Sequence, residues 1–445
     1  MLAEQADQEA RGAVAPALRS WHPLLAVAFA ALDEAGVEWC LLRPPSRPAA
    51  PIGDVDLLVR RSDRGAAGRA LTAQGLARLP DAGSPDAFFL DYDPDGDCWV
   101  FLHVTSEVSF GRHLELRARV ARPCLRRRVL VEGVWRLSAG DEFWATLLHL
   151  LLDKGEVADR HRDRLAVLAR SAGGTGPVAT AFTARAPDGW SAERVLELAR
   201  AGRWAELETL ARPLAVRWRR AAPGDVVAVR LRFLGRLACG LGNPWRRRGL
   251  GVALLGPDGA GKSTLAAAVR ESFFLPSRSF YMEVRDAELA RVARLRVPGL
   301  TFATYLAVLW SRLAAARWHQ LRGELVLFDR YNYDVLAAAE QPAARSQRVA
   351  RWVHRRVFPR ADVALVLDVP GAVMFARKGE RDPDDLEAER RRLLRLRDRV
   401  PNVEVLDATQ PADQVRRAAT ARIWSRYAAR WGVSGPTVQA GTRQR

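Results

Sequence analysis

Lysine is nearly missing from this chain. Of 69 basic side chains only Lys154, Lys262 and Lys378 are lysines, all the others being arginines, and with 51 acids the formal net charge is +18. The two cations are not interchangeable, because an ammonium is a compact point charge on a flexible stem and a guanidinium is a broad planar fork. A lysine that persists against such a background marks a position where only the compact charge fits, and Lys262 and Lys378 both lie in the C-terminal half. The arginines run along the whole chain without gathering into a stripe. A skew of this kind reads as a GC-rich coding bias, so the high charge alone does not point to a nucleic-acid partner.

Cysteine is equally sparse. Cys40, Cys98, Cys124 and Cys239 are scattered with no CxxC spacing, so neither a zinc site nor a disulfide framework is indicated and free thiols in a reducing compartment are the expectation. No uncharged apolar run approaches the roughly 18 residues that span a bilayer. The segment 1–11 is acidic and polar where a signal peptide is basic and then apolar. A soluble, cytoplasmic protein is expected. Nothing points strongly to a nucleic acid or a membrane, and assembly into a homo-oligomer is left open.

At 445 residues, 49% of them hydrophobic, the chain is long enough for two cores. Flexible tails are expected at 1–15 and 433–445. Between them, 16–175 mixes helix and strand, with a helix over 24–35, strands over 39–42, 55–59 and 98–105, and an apolar helix over 143–154. A low-complexity break at 171–176 opens a helical connector, 176–245, which carries Trp204 and Trp218 among arginines. Its basic faces allow two readings, packing onto a neighbouring domain or lying on a membrane surface. The segment 246–432 alternates apolar strands (252–255, 325–328, 363–367, 403–406) with helices, the pattern of a doubly wound parallel sheet. Asp329, Asp368 and Asp407 follow three of those strands at their carboxyl ends, where open α/β sheets bind ligands.

The first of these strands runs into Gly256-Pro257-Asp258-Gly259-Ala260-Gly261-Lys262-Ser263-Thr264, a match to GxxxxGK[ST] placed between a strand and a helix. The glycines let successive amides converge on phosphate oxygens, and the helix start adds its partial positive charge. Lys262 is expected to reach the β- and γ-phosphates of ATP and Ser263 to hold Mg²⁺. Phosphoryl transfer needs further cations on the transferring group. Pro257 and Ala260 supply none, so Arg377, Lys378 and Arg381 are the candidates to close over the phosphates, unless that run is simply a solvated helix start.

Together these motifs resemble the thymidylate-kinase branch of the P-loop kinases over about residues 250–430. The loop sequence matches that family's, whose acid at the position of Asp258 contacts the acceptor sugar. Phe328-Asp329-Arg330-Tyr331 resembles the family's Asp-Arg-Tyr motif, which implies Asp329 near the magnesium and Arg330 on the acceptor phosphate. The run from Arg377 to Arg381 resembles the start of the mobile lid, and Asp407-Ala408-Thr409 the loop against the ATP base. The family's Arg-Glu-Pro-Gly-Gly loop is replaced here by Ser279-Phe280-Tyr281-Met282-Glu283-Val284-Arg285. Arg312 and Arg317 are candidates to face the acceptor. The resemblance implies an ATP- and magnesium-dependent kinase acting on a nucleotide or another small molecule. An ATP-binding regulatory module without turnover is the alternative.

In the first half, Gly53-Asp54-Val55-Asp56 places two carboxylates on one face of a predicted strand, as magnesium-assisted nucleotidyl transfer requires. With Leu41-Leu42-Arg43, Leu102-His103-Val104 and Glu142-Phe143-Trp144, residues 25–170 resemble an uncharacterised nucleotidyltransferase-like family. That resemblance implies Asp54 and Asp56 as metal ligands and a nucleotidyltransferase as a further alternative. The usual glycine-serine turn is replaced by Arg43-Pro44-Pro45-Ser46, and a third carboxylate has no clear counterpart. His103, with Asp97 and Glu107 nearby in sequence, is either a ligand or a core histidine.

Overall fold

A parallel sheet and a mixed sheet organise the two halves of the chain, which divides between Cys239 and Gly240 into two compact units. The computed structural model describes residues 18–430 except 46, 51–52, 80–85, 112–113, 226, 230, 232–248, 283, 285–288, 291, 293, 296, 298, 330, 332, 334–351, 353–358 and 380. Among the described residues no helix is long and apolar enough to cross a membrane.

In the first unit the strands are β1 (Trp39–Arg43), β2 (Asp54–Val59), β3 (Ala77–Arg78), β4 (Ala87–Asp93), β5 (Cys98–Thr105), the short pair β6 (Ser109–Phe110) and β7 (Leu116–Arg117), then β8 (Val129–Val131) and β9 (Val134–Arg136). Seven of them form a mixed sheet in the order β3-β4-β5-β2-β1-β9-β8. Alternation along each strand sorts the side chains. Val55, Leu57 and Val59 pack with Phe29, Leu32, Leu71 and Leu102, beneath helices Pro23–Glu34 and Arg64–Ala73. Cys40, Leu42 and Leu58 face the other way, onto Phe143, Trp144 and Leu148 of helix Ala139–His149. That helix starts at the Ser138 cap, carries Asp141 and Glu142 in its first turn, where the helix dipole favours acids, and continues as one π-helical turn, Leu150–Lys154.

The helices over 177–221 share this second core. Phe182, Val195, Leu207 and Trp218 belong to the same cluster as Phe143 and Trp144. Trp204 and Trp218 are buried, so neither ring is offered to a membrane surface. Cys40 and Cys124 are buried and Cys98 half-buried, all three free, and burial pushes the Cys40 thiol up to about 12. Cys239 lies outside the described residues.

In the second unit β10 (Gly251–Leu255), β11 (Ser277–Tyr281), β12 (Leu325–Asp329), β13 (Val363–Asp368) and β14 (Val403–Asp407) form a five-stranded sheet in the order β11-β12-β10-β13-β14, every pair parallel. Ala253, Leu255, Val326, Phe328, Ala364 and Val366 point into one layer with Leu309 and Leu313 of helix Leu300–Leu321 and Leu393 of helix Pro383–Leu394. The opposite layer holds helices Lys262–Ser272 and Ala412–Ala429, which pack on each other. Burial on both faces explains why β10 is buried at all five positions. β11 is different. Among the described residues it pairs with β12 alone, reads Ser-Arg-Ser-Phe-Tyr and is half-exposed.

The first unit's second core predicts one stability result. Trp144 is fully buried, stacks on Phe182 at 4.8 Å and donates its indole N–H to Gly173 O at 3.0 Å. Trp144→Ala is expected to destabilise this unit by about 3–5 kcal/mol, read as a fall in its urea midpoint.

Candidate functional site

The sheet places β11 and β12 on one side of β10 and β13 and β14 on the other, so the winding direction reverses at β10 and opens a crevice beyond its carboxyl end. The phosphate loop fills that position. Gly259 and Gly261 are left-handed, with φ of 87° and 94°. A Cβ on Gly259 would lie 2.7 Å from the Met374 carbonyl oxygen, because the loop packs on the backbone of helix Gly371–Lys378. Helix Lys262–Ser272 then begins with its unpaired amides directed at the loop.

Lys262 is buried and donates from Nζ to the carbonyls of Gly256 (2.7 Å) and Pro257 (3.0 Å), with the Asp258 carboxylate at 3.9 Å. Ser263 Oγ donates to Asp329 Oδ2 at 3.2 Å. The other oxygen, Asp329 Oδ1, is buried and finds no hydrogen-bond partner among the described residues. An orphaned buried carboxylate oxygen is costly, and beside a serine hydroxyl it forms the hard-oxygen donor set that Mg²⁺ prefers. Ser263 and Asp329 therefore fit a magnesium ion.

A cavity of about 600 Å³ opens here. Asp258, Gly259, Ala260, Gly261, Lys262, Ser263 and Thr264 line it, as do Asp329, Tyr281, Arg377, Lys378 and Gln410. Arg377 and Lys378 reach it from the last turn of their helix, which stops at left-handed Gly379. Arg381 is not among the lining residues and donates to Glu389 at 2.6 Å. Asp407 is exposed and not among the lining residues, and its carboxylate accepts the Thr409 N–H and the Gln410 side-chain amide, both at 3.0 Å. Arg330 and Glu380 lie outside the described residues. Arg312 donates to Tyr281 O at 3.3 Å and Arg317 to Gln320 at 2.8 Å, and neither lines the cavity.

Three features here escape the sequence patterns. Gln410 follows the recognised Asp407-Ala408-Thr409 run by one residue. Arg390 clamps Asp368 and Glu387, so the acid ending β13 is already paired. Tyr331 is a core anchor, stacked on Phe328 at 4.6 Å and donating to Pro359 O at 2.6 Å, while Asn402 donates to the Tyr333 hydroxyl at 2.8 Å. Together they fix the chain where it leaves β12 after Asp329.

In the first unit Asp54 and Asp56 do share a face of β2, but that face is already supplied with cations. Arg43 opposes Asp56 across the β1–β2 pair, Asp56 opposes His103 on β5, and His103 opposes Phe88 on β4. The four side chains form one row across four strands. Arg43 Nη2 donates to Asp56 Oδ2 at 2.5 Å, and His103 Nδ1 meets Asp56 Oδ1 at 2.8 Å. Both oxygens of Asp56 are thus engaged by the protein's own cations, and Asp56 as placed does not offer a magnesium ion the open carboxylate that a shared site with Asp54 needs. Phe88 stacks on His103 at 4.5 Å, and Asp86 lies 4.0 Å from its Nε2. Asp97 instead accepts the Tyr92 hydroxyl, and Glu107 accepts the amides of Val108, Val120 and Ala121.

Burial opposes charge on both partners, and their interaction outweighs it. Arg43 and His103 hold the Asp56 carboxyl well below the usual range. Asp56, with help from Asp86 and Asp54, raises the His103 imidazole above its ordinary value. Burial and the neighbouring Asp56 raise Asp54.

Two tests follow from this geometry. Gly259→Ala meets the Met374 backbone and adopts a strained φ, so nucleotide affinity by fluorescent-analogue titration is expected to fall at least about tenfold, or about 1.4 kcal/mol. His103 contributes stability that is fully present below its unfolded pKa of about 6.5 and is lost as pH rises through its higher folded value. His103→Gln, which stays neutral, is expected to flatten the fall in the first unit's urea midpoint between pH 6 and pH 9.

No protein-family model matches the chain, and no curated protein matches it. Among solved structures the chain is similar to a thymidylate kinase from Candida albicans, with 18% sequence identity and a TM-score of 0.32 over 41% of this chain and 93% of that one.

Proposed function

We propose that this protein is an ATP- and magnesium-dependent phosphotransferase of the nucleotide-kinase class, acting on a nucleotide or another small phosphate or hydroxyl acceptor. The observation that carries the reading is the convergence, in one cavity, of the phosphate-loop amides, the Ser263–Asp329 pair with its orphaned oxygen, and two cations, Arg377 and Lys378, from a different element. A purely structural glycine turn has no use for that combination.

In this reading the loop amides and Lys262 hold the β- and γ-phosphate oxygens, Lys262 giving up its bonds to Gly256 and Pro257. Ser263 and Asp329 would hold Mg²⁺, which would supply charge neutralisation on the transferring group. Arg377 and Lys378 add cations from the facing wall, so that charge developing on the γ-phosphoryl oxygens meets donors already in place. The thymidylate-kinase resemblance implies that Asp258 faces the acceptor, and Tyr281 lines the same cavity. The acceptor itself is left to the broader class, because the family's positioning loop is absent from 279–285.

Gln410 bears on the choice of nucleotide. A carboxylate only accepts hydrogen bonds, so Asp407 fixes the amide nitrogen toward itself and leaves the Gln410 carbonyl oxygen as the group offered to a base. An acceptor there suits the exocyclic amine of adenine and opposes the O6 of guanine.

The test is a product assay with ATP-Mg²⁺ against a panel of nucleotides and nucleosides. Lys262→Ala is expected to lower turnover by about 10²–10³-fold, and Arg377→Ala to lower turnover far more than ATP affinity. ATP binding without product from any acceptor would leave only a binding module. Gln410→Ala is expected to narrow the preference for ATP over GTP by about tenfold, or about 1.4 kcal/mol, measured as a ratio of kcat/KM values.

A further inference from the structure

The acid pair of the first unit holds a chemistry of its own. Along β1, Trp39 and Leu41 pack into the core beneath helices Pro23–Glu34 and Arg64–Ala73. Simple alternation would send Arg43 into that same apolar layer. The β1–β2 register shifts between Leu41 and Arg43, so that Leu41 opposes Leu57 while Arg43 opposes Asp56. The resulting bulge turns Arg43 onto the acid-bearing face. Next in the chain, the Pro44 carbonyl accepts Arg164 Nη1 at 2.7 Å, while the same guanidinium pairs with Glu142. Arg43 is therefore delivered by the backbone and held there.

Its guanidinium meets Asp56 through two donors, Nε at 3.2 Å and Nη2 at 2.5 Å, both on Oδ2. His103 takes Oδ1 from the other side. His103 Nε2 is buried without a hydrogen-bond partner among the described residues, its ring held between Phe88 and Asp56. Metal-assisted transfer needs carboxylate oxygens open to the ion and to its incoming ligands. Here the positions around Asp56 are filled by the protein's own cations.

We infer that the Arg43 guanidinium, seated on Asp56, stands where a divalent ion at the Asp54–Asp56 pair would bind, so that this acid pair carries no divalent-cation chemistry in the native protein and removal of Arg43 unmasks a cation site. A guanidinium brings positive charge and fixed donors but has no exchangeable coordination position. It compensates the acids permanently and activates nothing. The nucleotidyltransferase-like resemblance of this unit then describes a scaffold whose acid pair has been closed by a residue of the chain itself.

The experiment is a Mn²⁺ titration followed by electron paramagnetic resonance, on the full chain without nucleotide and with Asp329→Asn to remove the cation candidate of the second unit. The parent and its Asp54→Asn derivative are expected to give the same isotherm. Arg43→Ala is expected to bind one additional Mn²⁺ per chain, at least about tenfold more tightly than anything in the parent, and to lose it when Asp54→Asn is added. Loss of a bound Mn²⁺ on making Asp54→Asn in the parent would overturn the inference, as would a folded Arg43→Ala protein that gains no ion. Should Arg43→Ala fail to fold, Arg43→Gln keeps the side-chain volume while removing the charge, and the parent comparison decides independently.

Discussion

A buried ammonium holds the phosphate loop in shape. Lys262 lies under the loop it closes and donates to two of that loop's carbonyls. This imposes a size constraint on the position, since the planar fork of an arginine does not fit where one nitrogen must serve two carbonyls a residue apart. The near-absence of lysine elsewhere makes the constraint visible. A chain that uses arginine almost everywhere keeps an ammonium here, and another at Lys378 on the wall of the same cavity.

The second unit was largely legible because its signals are local and strong. Strands buried on both faces read as unbroken apolar runs, and β10, β12, β13 and β14 lie where those runs lie, each within a residue or so at either end. β11 was not legible, since an edge strand half in solvent has no apolar run to show. In the first unit β4 is cut by Asp91, and β8–β9 is a three-residue hairpin around Glu132 and Gly133, both with positive φ, so neither gives a periodic segment long enough to stand out.

Side-chain partnerships show the same boundary. The phosphate loop and the Asp329 position follow from spacing, and the cavity brings them together with Arg377 and Lys378. The engagement of Asp56 by Arg43 does not, because it depends on a bulge that shifts alternation by one residue. Along the chain the acids near His103 are Asp97 and Glu107, whereas the sheet brings Asp56 and Asp86 to it across strands. Arg390 reaches Asp368 over 22 residues by the path of a helix. Such contacts belong to topology and carry no motif.

The half-exposed edge strand gives the cavity two unequal walls. The wall that carries the glycine loop rests on β10, β12 and β13, all three hydrogen-bonded on both sides within the sheet. The wall that carries Tyr281 rests on β11, which has a single neighbour among the described residues. Changes in sequence on that margin disturb few ladder bonds and little core. A fold arranged this way can change its rim while leaving the glycine loop and the strands beneath it intact, which makes the edge strand the natural place for related chains to differ.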